Sequence, residues 1–273
     1  MISALSNCLL FVPIWLIGLI LFGGMLAAAW LGSWLRQKHD SKLADKDKGG
    51  EKEGLVVSSV MGLLALLIGF TFSLALDRFD ARRGAVLEEA NAIGTTYLQT
   101  QLLDAPHRER ISQLLFDYAR NRLALAEASP GAQAKAALAS DDRLITQLWT
   151  AMVAAFPSVK DYDFSSTYVS SMNAMIDMDA TRKAARRASV PGEIFLLLFV
   201  YQLVAAGVVG YVLVGGRSRQ SAAFLFFLFG LSLVVVLDLN RPTTGWIRVP
   251  QQPIVDLIEM MRANPPSVFN SSP

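Results

Sequence analysis

The apolar positions fall into four long runs, and one of them continues past the point where a membrane span would end. Leu55–Leu76 (LVVSSVMGLLALLIGFTFSLAL) is long and apolar enough to cross a bilayer. It passes without a proline into Asp77–Leu103, which is polar but keeps a helical apolar period. The pattern predicts one continuous helix over Leu55–Leu103. Such a helix couples whatever lies outside the membrane to the span inside it. Leu9–Leu35 predicts another span, with Trp30 and Trp34 at the end where interfacial aromatics belong. A cleaved signal peptide is its rival. Residues 1–8 carry no Lys or Arg, and the run is too long for a signal core, so a retained span is expected. Gly18, Gly23 and Gly24 offer a close approach to another helix. Glu193–Val214 and Ala222–Leu239 complete the set. The last is near the lower length limit, with a re-entrant segment as the alternative.

Between the second and third spans, Asp77–Pro191 is too long for a structureless loop. Its punctuation predicts four helices: the extension to Leu103, Pro106 to about Ala128, one capped by Ser129 with Pro130 in its first turn, and Phe164–Ser189. Phe156-Pro157 is expected to end the third. Each helix has an apolar stripe: Val86, Ile93 and Tyr97; Ile111, Leu115 and Tyr118; Ile145, Leu148, Met152 and Phe156; Tyr168, Met172 and Met175. Four helices joined by short turns return the chain to the face it left, which predicts an up-down bundle. The fold class expected is therefore all-α: four transmembrane helices, with a four-helix bundle inserted between the second and third.

The expected divisions are 1–76, with a charged linker at 36–54, then the bundle at 77–191, then spans at 192–239. A loop and a short amphipathic helix occupy 240–273. The apolar face of that helix (Ile254, Leu257, Ile258, Met261) suits either the membrane surface or the bundle. Asn264–Pro273 reads as a frayed tail. The short turns carry Arg36 through Lys52 and Arg217 with Arg219, while large inserted domains translocate regardless of charge. A bacterial inner-membrane protein with both termini and the bundle in the periplasm is expected on that count.

Composition removes several classes of function. Apolar residues make up 53% of the chain and charged ones 18%, with a net charge of +2, which gives no reason to expect nucleic acid. Cys8 is the only cysteine, and His39 and His107 are the only histidines. An intrachain disulfide is impossible, and zinc, haem and Ser-His-Asp chemistry lose their usual ligands. No nucleotide, hydrolase or metalloprotease motif occurs. No enzyme activity, cofactor or metal is expected.

The remaining candidates are constellations of polar residues. If the span-2 helix and the helix before Pro191 run antiparallel, residues at one level have numbers summing to roughly 269 for equal helical rise. Glu89 then reaches Arg182 or Lys183, Tyr97 lies opposite Met172, and Asn91 falls near Asn173 and Asp177. A polar network that fixes register and a ligand or gating role are both open. Arg78, Arg82, Arg83, Arg186 and Arg187 form an expected basic collar, suited either to concentrating anions at a pore mouth or to contacting headgroups. Ile68, Gly69, Phe70 and Thr71 are candidates for a constriction or for ordinary packing. Asp238 and Arg241, with Pro242 and Gly245, mark the end of the fourth span.

The blocks GFTFSLALDRFDARRGAVLEEANAIGTTYLQ (Gly69–Gln99), Asn173…Asp177…Arg182 and LDLNRPTTGWIRV (Leu237–Val249) resemble the bestrophin-like domain family of bacterial and plant membrane proteins. The resemblance covers nearly the whole chain. It implies four spans with a helical insert, and a kinship to bestrophins, which are pentameric anion channels. A homo-oligomeric channel with the second span lining its path is the function expected. A membrane-anchored sensor or scaffold, its bundle binding a small anion, another ligand or a partner protein, is the alternative.

Overall fold

A computed structural model describes residues 12–40, 50–129, 131–212 and 216–270. These form helices α1 (Ile14–Asp40), α2 (Gly50–Thr100), α3 (His107–Glu127), α4 (Ala132–Val159), α5 (Phe164–Arg187), α6 (Gly192–Val212), α7 (Gly216–Asn240) and α8 (Gln252–Ala263), followed by a 3-10 turn at Pro266–Asn270. No strand occurs among the described residues. The chain divides into two compact units: Met1–Arg78 with Ser189–Ile247, and Phe79–Ala188 with Arg248–Pro273.

The first unit holds four helical stretches apolar and long enough to cross a membrane. In it α1 and α6 approach until backbone meets backbone. A Cβ at Gly210 would sit 2.0 Å from the carbonyl oxygen of Ala29, and one at Gly32 would sit 2.1 Å from that of Gly207. Apolar side chains gain little by leaving lipid for a helix interface, so close packing of small residues is what holds such helices together. Gly18 and Gly24 make looser contacts, and Gly23 makes none. Arg36 lies within α1, not in a linker. Its Nη1 donates to the carbonyls of Tyr211 and Val212, in the last turn of α6, at 3.1 and 3.2 Å. The fourth span is an unbroken 25-residue helix. It begins at Gly216, so the turn expected at Gly215–Ser221 is already helical from that point.

The second unit has one core. Val86, Ile93 and Tyr97 of α2, Ile111, Leu115 and Tyr118 of α3, Leu148 and Met152 of α4, and Tyr168, Met172 and Met175 of α5 are all buried together. Ile254, Leu257, Ile258 and Met261 join them, so the amphipathic face of α8 packs on the helices and not on a lipid surface. The segment expected to be a frayed tail holds a 3-10 turn at Pro266–Asn270.

Two details of α4 differ from expectation. Its N-cap is Gly131, at φ 129°, a backbone conformation that glycine adopts without strain; it is not Ser129. Pro130 lies outside the described residues. The helix also runs through Pro157 to Val159. Both Pro157 and Val153 lie on its exposed side, so the bond that proline cannot make is lost where water is available. Phe156, expected in the core, is 41% exposed, because Ala155 and Val159 occupy the inward positions of that turn.

Candidate functional site

The long helix α2 has one face turned toward its own chain. In the membrane unit that face is Leu64, Ile68, Thr71 and Ala75, all buried. Thr71 returns its hydroxyl to the carbonyl of Leu67, 2.8 Å away. Val57, Val60, Met61 and Leu67 flank that face and are partly buried, and the opposite side of the span is exposed. Ser59, Gly62, Gly69 and Ser73 are exposed, Phe70 is 62% exposed, and nothing lies within 4 Å of a Cβ placed on Gly62 or Gly69. The four constriction candidates therefore split: Ile68 and Thr71 face inward, Gly69 and Phe70 outward.

The arginines of the expected collar split as well. Arg82 is buried and donates to the carbonyl of Ala188. Arg186 is half-buried and donates to that of Leu125 at 3.5 Å. Arg78, Arg83 and Arg187 are exposed, as are Asp77 and Asp80. Arg83 and Asp80 line a cavity of about 480 Å3 with Gly84, Leu87, Pro250, Gln252 and Pro253.

In the bundle, charged residues form a layer across the core. Arg122 of α3 is buried, with Nε 2.8 Å from Glu89 Oε1 of α2, an ion-pair contact outside hydrogen-bond geometry. Its Nη1 binds Asp141 of α4 and, at 3.0 Å, Asp179 of α5. Glu89 also accepts from Arg182 and from the Tyr118 hydroxyl. Arg182 donates in turn to Gln251, and Lys183 bridges Asp142 and Asp179. Asn121 donates to Asp141 at 2.6 Å.

The electrostatics follow from burial and charge. Burial opposes the charge of Arg122, yet Tyr118, Glu89 and Asp141 together hold its pKa above the ordinary value. Burial raises the Asp141 carboxyl against the pull of Arg122. Burial, and then the Glu89 charge, push the Tyr118 hydroxyl well above the usual tyrosine value. Arg122 is thus a fixed cation, and the layer is a lock among four helices.

The antiparallel register expected for α2 and α5 matches these contacts: Arg82 meets Ala188, Glu89 meets Arg182, and Thr96 donates to the carbonyl of Ser171. Asn91, Asn173 and Asp177 are exposed and stand outside the layer. Tyr97 instead donates to the carbonyl of Asn264 at 2.7 Å.

The motif after the fourth span is a folded knot. Asp238 is buried and accepts from the backbone N–H groups of Trp246 and Ile247 at 2.9 and 2.8 Å. A Cβ on Gly245 would lie 2.8 Å from Asp238 Oδ1, so only glycine fits there. Arg241 donates to the carbonyl of Val12, and Asn240 accepts from the N–H of Val190. Pro242 is partly buried and begins the return of the loop. These groups join the end of α7 to the residues preceding α1 and α6. The arrangement is a structural clasp on backbone groups that would otherwise lack partners.

The family profile of the bestrophin-like domain matches residues 23–254. The chain belongs to the bestrophin-like family. Two crystal structures of a bacterial bestrophin homologue from Klebsiella pneumoniae share the fold of this bestrophin-like chain. One has a TM-score of 0.66 at 17% identity, over 90% of this chain and 98% of that one. The other has a TM-score of 0.65 at 17% identity, over 96% of this chain and 100% of that one. No curated protein matches the chain. The bestrophin-like chain is thus an all-helical, multi-pass membrane protein.

Arg122, Asp141 and Asp179 were not among the residues expected in the polar network. A signal for them is present in the sequence: each falls in register with the apolar stripe of its helix, four residues from Tyr118, Ile145 and Met175 respectively.

Proposed function

We propose that the bestrophin-like chain forms a homo-oligomeric ion channel in which the uncovered face of α2 lines the path. The observation that carries this reading is the character of that face. Ser59, Gly62, Gly69 and Ser73 leave α2 open and small along one side of an otherwise apolar span. Lipid gains little from such a surface, whereas a water-filled path between copies accepts it. Gly69 and Phe70 form the narrow part, with Ile68 and Thr71 fixing the helix behind them. Anion preference rests on the exposed Arg78, Arg83 and Arg187, opposed by Asp77 and Asp80. The bundle and both termini are taken to be periplasmic, which topology reporters at Asp45 and Pro130 read directly.

Purified protein in planar bilayers tests the reading. Single-channel currents are expected, with Phe70→Ala raising conductance severalfold. Arg83→Gln and Asp80→Asn should move the reversal potential in opposite directions. Absence of current from well-folded oligomers would overturn the channel.

A second reading is supported by a cleft of about 440 Å3 in the bundle unit, lined by Tyr97, Glu109, Phe116, Arg262 and Pro265 among others. Arg262 lies over the Phe116 ring, 5.7 Å from its centre. A sensor or scaffold would receive its ligand or partner there. A partner that co-purifies with the wild type and is lost in Phe116→Ala, without conductance, would favour it.

A further inference from the structure

The cleft between α3 and α8 pairs an exposed cation with a buried hydroxyl whose proton has no acceptor. Phe116 of α3 carries two guanidiniums: Arg262 of α8 lies 5.7 Å from its ring centre and Arg120 of α3 lies 5.9 Å. Both arginines are exposed, and neither forms an ion pair among the described residues. An aromatic ring attracts a guanidinium and leaves its edge N–H groups available, which suits a carboxylate held by two parallel hydrogen bonds.

Ser112 lines the same cleft and is 3% exposed. Its oxygen accepts from Gln101 Nε2 at 2.9 Å. That Nε2 also donates to the carbonyl of Tyr97 at 2.8 Å, which fixes which end of the amide is nitrogen. Ser112 therefore keeps a proton to give, and no described residue accepts it. A buried donor without a partner is costly, and an acceptor on a ligand removes that cost.

Charge and shape narrow the ligand. Glu109 lines the cleft but is met by Arg108 at 3.5 Å, so its charge does not cancel that of Arg262. The neighbouring cleft, of about 290 Å3, touches both Arg120 and Arg262, but Glu127 and Glu259 line it and oppose an anion there. Among the described residues, Arg262 alone brings a guanidinium to the larger cleft, which suits a single negative charge. Phe116, Met261, Pro265 and Pro266 give that cleft apolar walls, and its volume of about 440 Å3 is that of a small-molecule site.

We infer that this cleft binds a small aromatic monocarboxylate, its carboxylate on Arg262 and the Ser112 hydroxyl and its ring against Phe116 and the prolines. This inference rests on the sensor reading above and names the ligand class of that site.

The test uses the full chain in nanodiscs, with phenylacetate, benzoate and indoleacetate as probes and phenylacetamide as the uncharged control. Equilibrium dialysis reads binding directly. Thermal unfolding reads it again, since a ligand held only by the folded chain raises the midpoint. Each acid should bind and raise the midpoint, and phenylacetamide should do neither. Arg262→Gln should weaken phenylacetate binding about tenfold or more, the loss of a charge-assisted pair. Ser112→Ala should weaken it severalfold. Arg110→Gln, at an exposed position of α3 outside the cleft, should leave it unchanged. If Arg262→Gln loses helicity by circular dichroism, Ser112→Ala and the phenylacetamide comparison decide. Binding that survives Arg262→Gln in a folded protein, or that Arg110→Gln weakens equally, overturns the site. Failure of all the acids to bind the wild type overturns the inference. If a protein partner then still co-purifies and is lost in Phe116→Ala, the scaffold reading stands without it; if none does, both fall.

Discussion

The two units of the chain solve the burial of polar groups in opposite ways. In the core of the bundle unit, charges are matched by charges: Arg122 among Glu89, Asp141 and Asp179, with Arg182 and Lys183 at the edge, while Arg82 and Arg186 meet carbonyls near helix ends. In the membrane unit, side chains are matched by backbone: Asp238 by two N–H groups, Asn240 by one, and Arg36 and Arg241 by carbonyls. The difference follows from where each unit has orphaned groups. Mid-helix backbone in the bundle is already paired, so a charge there can be satisfied only by another side chain. Span ends expose four unpaired groups each, and beside a bilayer a side chain that reaches them removes a cost of several kcal/mol. The first solution fixes which helices stand together. The second fixes where chain segments begin and end.

The comparison breaks most sharply at Arg122. Arg122→Ala leaves three buried carboxylates without their common cation, and breaking a buried pair in this way costs about 3–5 kcal/mol. Denaturant unfolding of the purified protein, followed by circular dichroism, should show a loss of that size. Restoring the charge balance by adding Asp141→Asn should recover part of it. If Arg122→Ala costs less than 1 kcal/mol, the layer is not a lock.

The matching test in the membrane unit is Asp238→Ala. Two backbone N–H groups lose a charged acceptor, and hydrogen bonds to charged groups contribute about 1.5–3 kcal/mol each before any rearrangement. An overall loss of about 2–3 kcal/mol is expected, smaller than at Arg122 because water reaches a loop more easily than a bundle core. Asp238→Asn should cost about half as much, since one acceptor oxygen remains. Protease cleavage near Trp246, which is 74% exposed, reads the loop directly: the alanine variant should be cut faster at that point than the wild type.

The sequence made much of this legible where the signal is periodic. The length of α2 follows from the absence of proline in Leu55–Leu103, and the Glu89–Arg182 pair follows from an antiparallel register. Arg122, Asp141 and Asp179 escaped because a charge within an apolar stripe reads as an interruption of the pattern. Such a residue is a core position with a required partner. The Asp238 clasp is less legible, because its partners become neighbours only when a proline- and glycine-containing loop folds back eight residues. The contact between Gly32 and Gly207 is hidden for a similar reason. Glycine is common in membrane helices, and only the pairing of α1 with α6 says which glycines matter.

The smallest expected effect sharpens the comparison on the bundle side, at Tyr118. Its hydroxyl donates to Glu89 at 3.1 Å, so Tyr118→Phe should cost about 1 kcal/mol at neutral pH, the ordinary net worth of one hydrogen bond. The pH dependence is more specific. Burial first, and the Glu89 charge second, hold the Tyr118 pKa well above the ordinary 10.0 in the folded chain. The unfolded chain therefore releases this proton first as pH rises. Stability from this group is fully present below pH 10 and is lost progressively above it, until the folded chain also ionises. Denaturant midpoints from pH 9 to 11 should fall in the wild type and fall less in Tyr118→Phe. Tyr97, also raised by burial, contributes equally to both proteins and cancels in the difference. Parallel slopes for the two proteins would show that neither burial nor the Glu89 charge holds the Tyr118 proton in the folded chain.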